Sequence, residues 1–436
     1  FEKYPTQAEK ALDEAQLLEL GKDDVTKIVG EKLNGNKDWL LIGGPPCQAY
    51  SLVGRSRMLG VAKKDGESES KYLKRLKVIH DDFQDDVRHH LYVEYLKIIA
   101  DHSPRVFVME NVKGILSAKH NNELIFPKIL KDLKAPNIAL EREEIGDEYE
   151  IRSFTVENEK LEPIDYLIKA EEYGIPQRRH RVILLGIRKD RAEPTNILQR
   201  KAPPKLTDIL GDLPQLTSGL SRKSDLTPYE SLSELIKQDW WKGFTKQNTE
   251  LAALMKKEMK KVLQKETRGS TVVSKGSSSI KIDWYGKGGK QENVYNHETR
   301  GHMKEDLWRY FFCACFAQLN EKKAPHLRDF PNELLPNHKN VKEGVSGNKF
   351  GDRFRVQVSN SVATTITSHI SKDGHYFIHY DPTQNRSLTV REAARIQTFP
   401  DDYFFEGPRT AQFHQVGNAV PPLLAFKLAK VVKELF

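Results

Sequence analysis

Gly43-Gly44-Pro45-Pro46-Cys47-Gln48 follows directly on the apolar run Trp39-Leu40-Leu41-Ile42. A short apolar run bounded by glycine and proline is typical of a buried strand. The two glycines allow the backbone to turn sharply, and the two prolines restrict φ on the approach to Cys47. The stretch therefore predicts a thiol on a rigid turn at the end of a strand. A Pro-Cys pair taken alone is more often a small buried cysteine than a nucleophile, because free cysteine is among the most buried residue types.

Two further apolar runs, at residues 106–109 and 182–187, predict two more buried strands. Apolar residues recur at helical spacing over residues 91–99, before the second run, and over residues 124–133, after it. Strands that alternate with helices indicate an α/β fold. We therefore expect a doubly wound, mostly parallel sheet.

Polar motifs flank the second and third of these strands. Glu110-Asn111-Val112 follows the second run, and Gln177-Arg178-Arg179-His180-Arg181 leads into the third. Ligands of open α/β sheets bind at the carboxyl ends of the strands, so Cys47 and Glu110 are expected at one edge. Arg181 precedes its strand, and it can reach that edge only if its strand runs antiparallel to the others.

The composition favours a polyanionic partner and a reducing compartment. The chain has 436 residues, a net charge of +8 and a pI near 9.0, which indicate more than one domain and an affinity for nucleic acid or an acidic surface. Three cysteines cannot build a disulfide framework, and Cys313 and Cys315 lack the spacing of metal ligands, so no metal site is predicted. No apolar run approaches the roughly 18 residues of a membrane span, so a cytoplasmic protein is expected.

Residues 188–355 interrupt the strand and helix pattern with loops rich in proline, serine and glycine, which predict a separate, smaller domain. Between Lys256 and Lys290 there are ten Lys or Arg and three Asp or Glu, an excess close to that of the whole chain. A solvated, flexible loop is one interpretation. Lysines and serines interleaved with aromatic residues favour a nucleic-acid face, with Lys256, Lys257, Lys260 and Lys261 as candidate contacts.

Five blocks, in this order, resemble the C5-cytosine-specific DNA methyltransferases, the enzymes of bacterial restriction-modification systems and their relatives. Three are the motifs at Cys47, Glu110 and Arg181, and the last two are Arg391-Glu392-Ala393-Ala394-Arg395 and Gln415-Val416-Gly417-Asn418-Ala419-Val420. The resemblance covers residues 1–187 and 356–436, and it implies a catalytic domain of the class I, Rossmann-like methyltransferase fold. By position alone, residues 188–355 match the family's inserted target-recognition domain, after which residues 356–436 return to the catalytic domain.

The resemblance also implies covalent catalysis on a cytosine flipped out of duplex DNA. Cys47 would add to C6 of the base, while Glu110 would hold or donate a proton at N3. Arg181 would hold O2, and Arg179 would hold a phosphate or the loop that bears Cys47. The methyl donor would be S-adenosylmethionine, with S-adenosylhomocysteine as the product.

Other binding residues are assigned by the same resemblance. The positions that match cofactor-binding residues are Glu2, Asp24, Val25, Pro46, Asn418, Ala419 and Val420. The segment after Cys47 is basic and contains several glycines, which predicts a loop that closes over DNA. The candidate DNA contacts there are Gln48, Ser51, Arg55, Arg57 and Arg88.

One block of the family pattern is absent. The family opens with an Asp-x-Phe-x-Gly-x-Gly-Gly strand and turn, whereas the match here begins abruptly at Glu2. We therefore expect the first strand to come from residues upstream of Phe1 or from a second polypeptide. Methylation of cytosine in RNA and a non-catalytic DNA-binding relative remain alternatives to DNA methylation.

The expected partners follow from the family as well. Duplex DNA is the expected substrate, and a cognate restriction endonuclease is expected only as a functional partner. The resemblance implies a monomer in the bacterial cytoplasm, associated with the nucleoid through DNA.

Overall fold

Two compact units make up the chain in the computed structural model. One contains residues 1–168, 180–198 and 428–436, and the other contains residues 169–179 and 199–427. The structure describes residues 5–45, 87–120, 123–144, 146–157, 160–191, 196–221, 226–262, 264, 266–275, 282–286, 292–320, 323–337, 341, 344–345, 351 and 353–436.

The secondary structure of the described residues alternates between helices and strands in the first unit and is mainly helical in the second. The strands are β1 Leu40–Gly43, β2 Val106–Val112, β3 Lys119–His120, β4 Glu123–Leu124, β5 Tyr149–Ser153, β6 Leu167–Lys169, β7 Gln177–Arg178, β8 His180–Arg188, β9 Gly219–Leu220, β10 Gly269–Ser274, β11 Asn293–Glu298, β12 Gly301–His302 and β13 Ala363–Thr364. The α-helices are α1 Pro5–Glu14, α2 Val25–Leu33, α3 Val87–His102, α4 Ile125–Lys134, α5 Pro136–Ala139, α6 Leu206–Leu210, α7 Pro228–Ser233, α8 Trp241–Gln247, α9 Thr249–Met259, α10 Lys304–Leu319, α11 Val390–Ile396, α12 Arg409–Asn418 and α13 Pro422–Lys433. None of the helices described is both long and apolar enough to cross a bilayer.

The first unit is built on a mixed sheet in the order β1-β2-β8-β5, with β6 also paired to β8. β1 and β2 are parallel, whereas β8 is antiparallel to both β2 and β5. The antiparallel direction predicted for the strand that follows Arg181 is therefore confirmed. β2 continues to Val112, beyond the predicted end at Met109, because its last residues pair with the start of β8. Glu110 consequently lies within β2 and not after it.

Aromatic side chains from α3, β2 and β5 form the centre of this unit's core. The rings of Tyr95, Phe107 and Tyr149 pack in sequence, with centroids 6.4 Å and 5.1 Å apart. Gly43 is required at the end of β1, because a Cβ there would lie 2.4 Å from the Tyr95 ring. The glycine thus allows β1 to pack closely on α3 just before the turn.

The second unit packs around α10, most of whose side chains are buried. Cys313 and Cys315 lie on this helix as buried free cysteines. Burial raises the pKa of both thiols well above the ordinary value, so both are protonated at neutral pH. Neither thiol therefore has the properties of a nucleophile.

Buried ion pairs join the C-terminal blocks to the segment that precedes them. Thr389 caps α11 through a capping box with Glu392, as its spacing predicts. Arg395 is fully buried and binds the carboxylates of Asp212 and Asp401. Because of such contacts, residues 356–427 lie in the same compact unit as residues 199–355. The assignment of residues 188–355 to a recognition domain stays a prediction.

We expect the folded chain to lose stability as the pH falls below about 6.5, because two buried histidines are neutral. Burial lowers the pKa of His297 to about 4, and it lowers the pKa of His379 as well. The unfolded chain then binds more protons than the folded chain between pH 6.5 and 4, and each such group costs about 1.4 kcal/mol per pH unit there. Below about pH 4.5, Glu392 of the unfolded chain binds a proton that the folded chain does not, because Arg386 holds the pKa of that carboxyl far below its ordinary value, and further stability is lost.

The thermal unfolding midpoint, measured from pH 8 to pH 5, tests this expectation. It should be nearly constant above pH 7 and should fall steadily on further acidification. Substitution of the exposed His369 by Gln should leave the curve unchanged. A midpoint that holds or rises between pH 6.5 and pH 5 would contradict the assignment of neutral buried histidines.

Candidate active site

A carboxylate and a guanidinium meet where β2 ends and β8 begins. Val112 lies directly opposite Arg181 in the antiparallel ladder, so Glu110, two residues earlier, shares a face with Arg181. Glu110 Oε1 accepts an ion-paired hydrogen bond from Arg181 Nε at 2.7 Å. The two side chains are 25% and 18% exposed, so a substrate can reach them. The pair presents an oriented carboxylate beside a fixed cationic donor.

The end of β1 lies next to this pair. A Cβ added to Gly44 would be 3.4 Å from Glu110 Oε2, so Gly44 lies next to the carboxylate. Asn111 Nδ2 donates a hydrogen bond of 3.1 Å to the Pro45 carbonyl. The carboxyl ends of β1 and β2 therefore meet at one edge, as the sequence predicts for the segments that lead to Cys47 and Glu110.

Several predicted site residues lie outside the described part of the chain. Arg88 is within α3, but its side chain is not described. The others outside the described residues are Glu2, Pro46, Cys47, Gln48, Ser51, Arg55 and Arg57. Their assigned roles stay predictions.

Arg179 lies in the second unit, where it is 3% exposed. Its Nη1 donates hydrogen bonds to the carbonyls of Ile366 at 2.9 Å and Gly417 at 3.3 Å. The predicted contact of Arg179 with a phosphate stays a prediction. Arg179 holds two backbone segments together. A contact between Arg179 and the segment that bears Cys47 remains a prediction.

Close packing explains why a glycine, Gly417, stands in the last sequence block. A Cβ at this position would lie 2.3 Å from the backbone nitrogen of Ser368. Only glycine allows α12 to pack this closely on the neighbouring backbone, next to the carbonyl that Arg179 binds.

The described cofactor candidates occupy the ends of helices. Asp24 caps α2 by accepting a hydrogen bond from Lys27 N through Oδ1 at 3.1 Å, and Val25 is the first residue of that helix. Asn418 ends α12 with an exposed side chain, and Ala419 and Val420 follow it half-buried. The Ala419 carbonyl accepts a hydrogen bond from Gln397.

The predicted basic face is only partly available for binding DNA. Lys256 and Lys257 lie on α9 and Lys260 and Lys261 follow it, and all four are exposed. Lys261, however, pairs with the buried Glu258 at 2.7 Å. Lys275 is also unavailable, because its buried ammonium group pairs with Asp212 and Asp401.

The sequence analysis assigned no function to Asn111, which is 6% exposed and joins the ends of β1 and β2. The signal that could have found it is a second polar residue in a row at the end of a buried apolar run, because such a residue needs a hydrogen-bonding partner if it is buried.

Comparisons with known proteins place this geometry in context. A family model described as C-5 cytosine-specific DNA methylase matches residues 6–434. The type II methyltransferase M.Bpa9945I of Bacillus paralicheniformis is 34% identical over 401 residues, which cover 91% of this chain and 70% of the relative. The type II methyltransferase M.AgeI of Thalassovita gelatinovora is 26% identical over 411 residues, covering 90% and 82%. The DNA (cytosine-5-)-methyltransferase M.ApeKI of Aeropyrum pernix is 25% identical over 441 residues, covering 94% and 84%.

Proposed function

The chain belongs to the C-5 cytosine-specific DNA methylase family, and from this premise we propose how its residues carry out the reaction. It is a DNA (cytosine-5-)-methyltransferase of the type II restriction-modification class, and S-adenosylmethionine is the methyl donor of its reaction. The observation that carries the proposal is the Glu110–Arg181 pair beside the end of β1.

We assign the first chemical step to Cys47. C5 of cytosine is a weak nucleophile, and addition of a thiolate to C6 makes C5 electron-rich. The Cys47 sulfur forms a bond to C6, and the electron pair of the C5–C6 double bond moves toward N3. Such covalent catalysis divides one difficult step into easier ones.

Glu110 and Arg181 act on the pyrimidine ring during this step. Glu110 delivers a proton to N3, which neutralises the charge that develops there, while Arg181 donates a hydrogen bond to O2. When bound, S-adenosylmethionine would supply the electrophilic methyl group for C5. Loss of the C5 proton to a base then restores the double bond and releases Cys47 as a thiolate, while N3 returns its proton to Glu110. The net products are 5-methylcytosine, S-adenosylhomocysteine and a proton.

The target base must leave the duplex before this chemistry. A stacked and paired cytosine exposes neither face of C6 to a thiol and cannot place N3 against a carboxylate, so the base is flipped into the site at a cost of a few kcal/mol. Residues 188–355 are proposed to select the target sequence. We also propose that the protein acts as a monomer and that a cognate restriction endonuclease is its functional partner.

The described cofactor candidates fit the donor chemically. Asp24 uses Oδ1 as a helix cap and is exposed, so its other oxygen can accept a hydrogen bond from an adenine amino group. The exposed Asn418 amide offers a donor and an acceptor. We propose that Asp24 and Val25 hold the adenine, that Glu2 holds the ribose, and that Pro46, Asn418, Ala419 and Val420 hold the methionine end.

Trapping on modified DNA tests the proposed function. Fluorine at C5 cannot leave as a proton does, so a duplex with 5-fluorocytosine in a methylated site should remain covalently bound to the protein after methyl transfer. We expect a denaturation-resistant adduct that forms only with S-adenosylmethionine and maps to Cys47. An adduct at another residue, or methylation without any adduct, would contradict the mechanism. The matching RNA should give no adduct.

The lysines at α9 give a prediction about binding. Replacement of Lys256, Lys257 and Lys260 by Gln should weaken binding to all duplexes and flatten its dependence on salt. Each lost phosphate contact should reduce the slope of log K against log salt by about 0.9. Lys261→Gln is the matched control, since Lys261 pairs with Glu258 and is expected to change the slope less. An unchanged slope in the triple variant would show that these lysines are only a solvated surface.

A further inference from the structure

Two arginine side chains of the second unit meet on one backbone carbonyl. Arg268 Nη2 donates a hydrogen bond to the Thr299 carbonyl at 3.0 Å, and Arg409 Nη1 donates to the same oxygen at 3.1 Å. The two donor nitrogens can therefore be no further apart than these distances added together, about 6 Å. Two like charges this close repel each other, so a negative group that bridges them would stabilise both.

The carbonyl on which the two arginines meet is held in place by its own neighbours. Thr299 is buried, its backbone nitrogen donates to the Arg268 carbonyl at 2.9 Å, and its hydroxyl donates to the Thr217 carbonyl at 2.8 Å. Gly219 leaves room for the guanidinium group of Arg268, because a Cβ at Gly219 would lie 2.8 Å from Arg268 Nε. Each guanidinium group is thus fixed through one nitrogen before any ligand binds.

The nearest carboxylates compensate these charges only weakly. Glu266 Oε1 lies 3.7 Å from Arg268 Nε, and Glu298 Oε1 lies 3.9 Å from Arg409 Nη1. These separations are near the outer limit of an ion pair, and all four side chains are 40% to 46% exposed, so the contacts contribute little. Arg268 Nη1 and Arg409 Nη2 form no hydrogen bond with any residue that the structure describes.

A third guanidinium group lies near this pair. Arg300 directly follows Thr299, and its hydrogen bonds with described residues go to the backbone carbonyls of residues 370–372. Burial, together with the nearby charge of Arg409, lowers the pKa of Arg300 to about 10, so the group is still cationic at neutral pH. Three cationic groups therefore lie around residues 299–300.

We propose that Arg268 and Arg409 form an arginine clamp for one phosphate of duplex DNA. A guanidinium group presents N–H donors in a planar fork that matches the oxygens of a phosphate. The nitrogens that are not bonded to the Thr299 carbonyl supply these donors. The inference rests on duplex DNA being the substrate of the proposed reaction, and it adds a DNA contact separate from the lysines at α9.

Binding titrations at several salt concentrations test the arginine clamp on two duplexes, one that the enzyme methylates and one that it does not. Arg268→Gln or Arg409→Gln alone should weaken binding about tenfold with a nearly unchanged salt dependence, because the other arginine still neutralises the phosphate. The double Gln variant should reduce the slope of log K against log salt by about 0.9, the value for one phosphate. The losses should be equal on both duplexes, because a phosphate contact carries no sequence information.

Two further variants separate the arginine clamp from a general loss of charge or stability. Replacement of both Arg268 and Arg409 by Lys keeps the charges but removes the planar forks, so binding should weaken while the slope is preserved. Misfolding would instead make the double Lys and double Gln variants behave alike. Lys304→Gln is the matched control, since Lys304 is 39% exposed in the same unit and pairs with Glu234 at 3.0 Å. It should change neither affinity nor slope.

Three results would overturn the inference. One is an unchanged slope in the double Gln variant, and another is a slope lowered by about 0.9 in each single variant, which would indicate two separate phosphates. The third concerns inorganic phosphate, compared with chloride at equal ionic strength. If it raised the unfolding midpoint of the unmodified protein but not of the double Gln variant, while that variant bound DNA normally, the site would belong to a small anion.

Failure of the proposed function would look different. In that case the unmodified protein would bind or methylate no duplex DNA, whereas failure of the arginine clamp alone would leave binding and methylation intact in the unmodified protein and in the variants.

Discussion

Cys47→Ser is expected to abolish methyl transfer to duplex DNA while DNA affinity stays within about tenfold of the original. A serine hydroxyl fills nearly the same space, but it is hardly ionised at neutral pH and so cannot add to C6. A thiol with the ordinary pKa near 8.5 is already partly ionised at pH 7.5, and a cationic neighbour would increase the fraction of thiolate. Transfer of labelled methyl groups, together with a binding titration on the same duplex, measures both effects.

The two other cysteines provide the controls for this prediction. Cys313 and Cys315 are buried in α10 with raised thiol pKa values, so neither can supply a thiolate to DNA. Cys313→Ser and Cys315→Ser should each methylate DNA. Methyl transfer retained by Cys47→Ser, or lost in Cys313→Ser while the protein remains folded, would move the nucleophile away from Cys47.

Local sequence pattern was sufficient for three of the five strands of the main sheet, β1, β2 and β8, and for the edge at which the site lies. Short apolar runs predicted β1, β2 and β8, and the family resemblance implied the antiparallel direction of β8 that Arg181 requires to reach the carboxyl edge. The α/β fold that these features predict, and the methyltransferase class that the five blocks imply, are confirmed by the family match. These features depend on residues that are only a few positions apart in the chain, so they can be recognised from the periodicity of the sequence.

Long-range partners could not be predicted in the same way. The carbonyls that Arg179 binds are 187 and 238 residues away along the chain. A basic residue in a motif looks the same in sequence whether it faces a phosphate or a buried carbonyl, because both are acceptors. Lys275 falls within the predicted basic stretch for the same reason, although its buried ammonium group pairs with Asp212 and Asp401.

Packing groups the C-terminal segment differently from the sequence blocks, and the recognition domain at residues 188–355 stays a prediction. The resemblance assigned residues 356–436 to the catalytic domain because their blocks belong to that family, whereas compactness depends on packing. Arg395 forms buried ion pairs with Asp212 and Asp401. Asp212 belongs to residues 188–355, whereas Arg395 and Asp401 belong to residues 356–436. A motif identifies the ancestry of a segment, but it does not identify the unit in which that segment is buried.

Glu110→Gln is expected to reduce turnover on the order of 10²-fold or more, with much less effect on DNA affinity. Glutamine keeps the shape of the side chain and can still contact the base, but it cannot deliver a proton to N3, and positioned acid catalysis contributes about 10² to 10⁴ in rate. Glu150→Gln is the matched control, because Glu150 also pairs with an arginine of the same sheet, Arg152, at 2.8 Å. If loss of a carboxylate–guanidinium pair alone slowed the reaction, both variants would be slow. If loss of the acid is the cause, only Glu110→Gln is slow. Normal single-turnover methylation by Glu110→Gln would remove Glu110 from the mechanism and leave its pair with Arg181 as a structural contact.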